Sequence, residues 1–139
     1  MEGWSEEERV AYFKNSAAAL SKHWGTPDRN RIIEEQLRPC FHVLERRGAA
    51  AVRKLLPLTE DDNDEVRLQA SAYAFAVDPD RCRRALVDLM RLRGFTGITA
   101  MVELLGKDSQ FVDEFERYAD HQDEGFAEAM ARKYGEFFR

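Results

Sequence analysis

Histidine and cysteine carry the broadest chemistry of any side chains, and this chain has three of the first and two of the second. Cys40 and His42 stand two positions apart, a spacing that a helix turns onto different faces, so they do not form a local metal pair. Neither Cys-x-x-Cys nor His-x-x-x-His occurs, and His23, His42 and His121 fall in three separate segments. A structural zinc site needs four ligands at recognisable spacing, so no metal and no cofactor is expected. A cysteine nucleophile needs a histidine brought close by the fold. Cys40 or Cys82 with His121 would be that pair, yet neither cysteine lies in a nucleophile-elbow or protease signature. The stretch Gly94-Phe95-Thr96-Gly97 lacks both the spacing and the lysine of a phosphate loop. The expectation is a chain without enzymatic activity, its two cysteines serving as small core residues.

Three further constellations could engage a partner. The run Glu60-Asp61-Asp62-Asn63-Asp64-Glu65 is dense in carboxylates. It lacks the alternating oxygen ligands and the distal glutamate of a calcium loop, and reads as a solvated turn that caps a helix, with Arg67 bonding back to neighbouring carboxylates or carbonyls. Arg81, Arg83, Arg84, Arg91 and Arg93 would suit phosphate. Asp80, Asp88 and the acidic C-terminal region dilute that field, and no aromatic residues alternate with the bases for stacking. The C-terminal stretch combines Phe111, Phe115, Tyr118, Phe126, Met130, Tyr134, Phe137 and Phe138 with many acids. Its plainer reading is a capping helix that closes the core. Its sharper reading is a protein-binding surface of aromatic anchors with an acidic rim, suited to a basic partner. The candidate partner-binding residues are therefore Asp61, Asp62, Asp64, Phe115, Tyr118, Asp120, Asp123, Glu124 and Tyr134. The five arginines form the alternative basic face.

The elements that must position these residues read as helices throughout. Ser5 and Glu8 have capping-box spacing. Val10, Phe13, Ala17, Leu20 and Trp24 then recur on one face up to Gly25. Thr26-Pro27 pairs a cap with a first-turn proline. Ile33, Leu37, Phe41 and Leu44 continue a stripe to Gly48, with Pro39 predicting a kink or break at about residues 36–39. Val52, Leu55, Leu56 and Leu58 mark a short helix stopped around Pro57. Asn63 or Asp64 caps the next helix, with Val66, Ala70, Tyr73, Ala74 and Val77 on its buried face. Asp78-Pro79 opens another, carrying Cys82, Leu86, Leu89 and Met90 as far as Gly94. The segment with Ile98, Met101, Val102 and Leu105 follows, and Asp108 or Ser109 starts the one with Phe111 and Phe115. Phe126, Met130, Tyr134 and Phe137 outline a terminal helix.

Composition sets the outer bounds. A chain of 139 residues, 44% apolar and 34% charged, is expected to form one domain with a buried core. Its net charge of −5 argues against a general nucleic-acid binder. No apolar run approaches the roughly 18 residues of a membrane span. The start MEGWSEEERV lacks a basic segment followed by an apolar one, so no secretory signal is expected. Two cysteines without such a signal suggest reduced thiols and a cytoplasmic location.

Two helix pairs resemble one another. Val52-x-x-Leu55-Leu56 precedes a turn and Val66-Arg67-x-x-Ala70, while Leu86-x-x-Leu89-Met90 precedes a turn and Gly97-x-x-Ala100. Leu55-Leu56, Asn63-Asp64-Glu65-Val66-Arg67, Ala70, Asp78-Pro79 and Arg84-Ala85-Leu86 together resemble a HEAT-type repeat. Preceded by Val10-x-x-Phe13, Asn30-Arg31 and Leu44-x-x-Arg47-Gly48, the order is similar to that of small bacterial HEAT-like proteins of unknown function, over roughly residues 8–118. Pro39 and the extension 119–139 depart from that pattern. The resemblance implies an all-α fold, a HEAT-like α-α superhelix of about seven or eight short helices. It divides into N-terminal helices at 5–48, repeat pairs at 49–106 and C-terminal capping helices at 108–139. It also implies protein binding without catalytic residues and, by analogy with relatives encoded beside toxin genes, an immunity protein that binds and inhibits a cognate bacterial toxin.

Overall fold

The computed structural model describes residues 3–92 and 94–119, and among these every regular element is helical. Seven helices follow one another through short turns. Helix α1 runs over Glu6–Ala19 and tightens into a 3-10 turn at Leu20–Lys22. Ser5 Oγ accepts from the Glu8 backbone N–H and Glu8 Oε1 accepts from the Ser5 N–H, both at 3.1 Å, so the capping box forms as its spacing predicts.

Helix α2 begins at Pro27 and continues to Arg47 in three parts, with α-helical Pro27–Ile32 and Arg38–Arg47 flanking a π-helical turn at Ile33–Leu37. Pro39 is the cause. An α-helical path would set its ring against the carbonyl four residues back. The chain instead widens one turn, and the Arg38 N–H donates to the Ile33 carbonyl, five residues back. An interruption is present but begins earlier than the expected 36–39, at Ile33–Leu37, and it takes the form of a bulge that leaves the apolar stripe in register.

Gly48, at φ 111°, ends α2 in a conformation that side chains rarely adopt. Helix α3 starts at Ala49–Val52 and tightens into a 3-10 segment, Arg53–Glu60. Pro57 lies inside that segment rather than at its end. Asn63 then caps α4, Asp64–Tyr73. Its Oδ1 accepts from Glu65 N–H at 2.9 Å and Val66 N–H at 3.1 Å. Replacing Asn63 with Ala frees two donors, and urea titration should show a loss of about 1–2 kcal/mol. A change below about 0.3 kcal/mol would show that solvent satisfies them equally well.

Helix α5, Pro79–Met90, is capped by Asp78, whose Oδ1 accepts from Arg81 N–H at 3.2 Å. Helix α6, Phe95–Lys107, follows Gly94 at φ 92°. Helix α7, Ser109–Ala119, follows Asp108, which accepts the Gln110 N–H on its side chain at 3.2 Å.

The chain gathers into two compact units, one up to Cys82 and one from Arg83 onward, divided within α5. In the first, α1 packs against α2, α3 and α4. Phe13, Ala17, Leu20, Leu37, Cys40, Leu44, Leu55, Val66 and Ala70 are all inaccessible to solvent. The Tyr73 ring sits between Phe13, centroids 5.6 Å apart and edge-on, and Phe41 at 4.9 Å. In the second unit α6 packs on α7, and Leu86, Leu89, Met90, Ala100, Leu104 and Phe111 are buried. Each of the apolar or small positions that makes the two helix pairs look alike is buried: Val52, Leu55, Leu56, Val66 and Ala70 in one, Leu86, Leu89, Met90, Gly97 and Ala100 in the other.

Candidate partner-binding surface

The acidic turn is largely consumed by local structure. Asp61 Oδ2 accepts from the Asn63 backbone N–H at 3.0 Å, and its Oδ1 lies 3.2 Å from Lys14 Nζ. The backbone donor first and then the Lys14 ammonium hold the Asp61 carboxyl below the usual carboxylate range. Asp64 pairs with Arg67 one turn on, and Glu60 lies 3.6 Å from Arg81. Glu65 is buried and bonded to Arg29. Asp62 alone in this run is an exposed carboxylate without a hydrogen bond or ion pair among the described residues. The run caps α4 as the spacing suggests, but it is not solvated throughout, because Glu65 is drawn into the interior by Arg29.

The arginines are similarly committed. Arg83 forks onto Asp108, whose side chain is 4% exposed, and its Nη2 reaches Oδ1 at 3.4 Å. Arg91, in the turn just past the end of α5, lies 3.8 Å from Asp88. With Arg81 beside Glu60, three of these guanidinium groups face carboxylates, and Arg84 is exposed. Arg93 lies outside the described residues, as do Asp120, His121, Asp123, Glu124 and Tyr134. Tyr118 belongs to α7, but its side chain is outside the description as well. Phe111 is 4% exposed and Phe115 half-buried, their rings 6.4 Å apart. The described part of the aromatic set thus includes core as well as surface.

Among the described residues, the large apolar side chains left exposed lie instead on α6. Phe95, Ile98 and Val102 are 65%, 48% and 56% exposed. Their spacing of three and four places them on one side of the helix, and Met101 and Leu105 continue that side half-buried. Gly97, Ala100 and Leu104 form the buried side. The sequence pattern picks out Ile98, Met101, Val102 and Leu105, and these residues do share a face, but it is the outward one. Apolar residues encircle this helix, so periodicity alone cannot say which side packs. Size could have said so. Gly97 and Ala100 allow close approach of a neighbouring element, which leaves the bulky side chains facing away. Glu103 and Lys107 pair at 2.9 Å and supply charge on the same helix.

The remaining chemistry is subdued. Among the described residues no group of three or more His, Cys, Asp and Glu side chains is arranged to hold a metal ion. Cys40 donates its thiol to the Arg9 carbonyl at 3.3 Å, and burial raises its pKa against the opposing effect of the Arg9 charge. Burial, with the Asp78 carboxylate second, pushes the Cys82 thiol up to about 11. Both thiols stay protonated at neutral pH, the reverse of an activated nucleophile. Reaction of the native chain with a disulfide reagent at pH 8 should run about 100-fold or more slower than in denaturant. A thiol reacting as fast as free cysteine would contradict this environment.

Among the described residues no helix is long and apolar enough to cross a membrane. Comparison with protein-family models, curated proteins and solved structures finds no match to the chain.

Proposed function

We propose that this chain is a non-catalytic protein-binding module whose contact surface centres on the outer side of α6. The observation that carries the reading is the stripe of Phe95, Ile98 and Val102, each at least 48% exposed on one helix. Single exposed apolar residues are ordinary, whereas three bulky ones in a row on a rigid helix suit the apolar centre of an interface. The Glu103–Lys107 pair and the half-buried Met101 and Leu105 supply the mixed border such a centre needs.

The resemblance to HEAT-like proteins gives the proposal its specific form: an α-solenoid in the bacterial cytoplasm that binds and inhibits a cognate toxin. The net charge of −5 favours a basic partner, and a nuclease that must itself bind phosphate is such a protein. Affinity capture of the tagged full chain from its native lysate, read by mass spectrometry, tests the proposal. One stoichiometric protein partner is the expected result. Recovery of nucleic acid alone, released at moderate salt, would transfer the function to the basic face of Arg81, Arg83, Arg84, Arg91 and Arg93.

A further inference from the structure

A second surface, on the outer side of α1, has a chemistry of its own. Trp4, Glu8, Ala11, Tyr12 and Asn15 line an open groove of about 300 Å³, at the small end of ligand sites. The Trp4 and Tyr12 rings meet edge to face, at 66° with centroids 5.2 Å apart, and both line the groove. Ala11 leaves the floor shallow. Glu8 also lines the groove, its Oε1 held by the Ser5 N–H at 3.1 Å, and no hydrogen bond or ion pair engages Oε2 among the described residues. The same capping box fixes the backbone next to Trp4 through Ser5 Oγ and the Glu8 N–H. Asn15 closes the far end with an amide that can donate and accept. No cationic side chain lines the groove.

We propose that this groove binds the trimethylammonium head of a small cation of the choline class. Aromatic faces attract a positive charge whose hydration is weak, and methylation makes an ammonium so. The Glu8 carboxylate adds a full negative charge, which selects against zwitterions carrying a carboxylate of their own. The ligand's hydroxyl meets Asn15. A trimethylated lysine side chain presents the same head, and the experiment separates the two sources. This site shares no residue with α6 and does not depend on the protein-binding reading.

The test is titration of choline into the isotope-labelled full chain, following the indole N–H signals of Trp4 and Trp24, which Trp4→Phe distinguishes. The Trp4 signal should move saturably with a Kd on the order of 1 mM, and the Trp24 signal should not. The uncharged isostere of choline, with carbon in place of nitrogen, should bind about tenfold or more weakly. Glu8→Gln keeps the capping box, because glutamine serves equally at that position. It should weaken choline several-fold and leave the uncharged isostere unchanged. A trimethyl-lysine amide titrated in parallel identifies the source by whether it or choline binds more tightly. Equal response to the uncharged isostere, or no saturation by about 50 mM choline, overturns the proposal.

Discussion

Glu65→Ala should lower the stability of the chain by about 3–5 kcal/mol in urea denaturation. Glu65 has 2% of its side chain exposed and Arg29 has 11%. The two meet as a fork, Nη1 to Oε1 at 2.7 Å and Nη2 to Oε2 at 3.3 Å. Nη1 also donates to the Leu20 carbonyl at 3.2 Å, and the guanidinium lies 3.5 Å above the Trp24 ring. One cation thus ties the end of α1, the turn after it, the start of α2 and the start of α4 into one unit. Removing Glu65 leaves that cation in a site with little water, and the cost is its desolvation rather than the loss of one contact. Replacing both partners, Arg29→Met with Glu65→Leu, should cost far less than the single change, because no charge is then left behind. A single-variant loss below about 1 kcal/mol would place the pair in effective contact with water.

The second large effect is on binding. Phe95→Gln, Ile98→Gln and Val102→Gln together should leave the unfolding curve within about 0.5 kcal/mol per site, since glutamine is a good helix former and surface sites tolerate change. The same triple change should weaken partner binding about 100-fold or more. Each fully buried apolar side chain is worth about 1.5–3 kcal/mol, and 1.4 kcal/mol is a factor of ten in affinity. A drop of several kcal/mol in stability would instead show that the stripe is packed inside the folded chain.

The helix boundaries were the most legible part of the sequence. Ser5 with Glu8, Asn63, Asp78 and Asp108 each cap as their types and positions suggest, because a cap is a contact between residues two or three apart. Gly48 and Gly94 sit where a positive φ is required. Proline was half legible. A disturbance ahead of Pro39 followed from the missing N–H, but a π-turn and a break satisfy that constraint equally, and packing of Leu37, Cys40 and Leu44 favours the form that keeps the stripe aligned. Likewise Pro57 could end a helix or sit inside a 3-10 segment.

Charged residues in the core were not legible. Arg9, at 2% exposed, and Glu65 occupy positions that a hydropathy pattern assigns to solvent. Glu65 is buried because Arg29, 36 residues away, meets it. The outward side of α6 was hidden for a different reason. The pattern groups Ile98, Met101, Val102 and Leu105 but not Phe95, and on a helix apolar all round only tertiary contact decides which side is covered. The acidic turn showed the opposite limit: its carboxylates drew notice as a potential binding site, yet Asp61 is held by the Asn63 N–H and by Lys14 from a distant part of the chain, and Asp64 pairs with Arg67, which leaves Asp62 as the exposed carboxylate of the run without a partner among the described residues.

The most direct measurement compares wild type with the Phe95, Ile98 and Val102 triple glutamine variant, both tagged and exposed to the same native lysate. Retained proteins are quantified by mass spectrometry, alongside unfolding curves of each. The expected result is one stoichiometric protein on the wild type, reduced about 100-fold on a variant that unfolds at the same denaturant concentration. Equal retention of the same protein by both would contradict a contact surface on α6, and retention of nucleic acid alone would contradict a protein-binding module altogether.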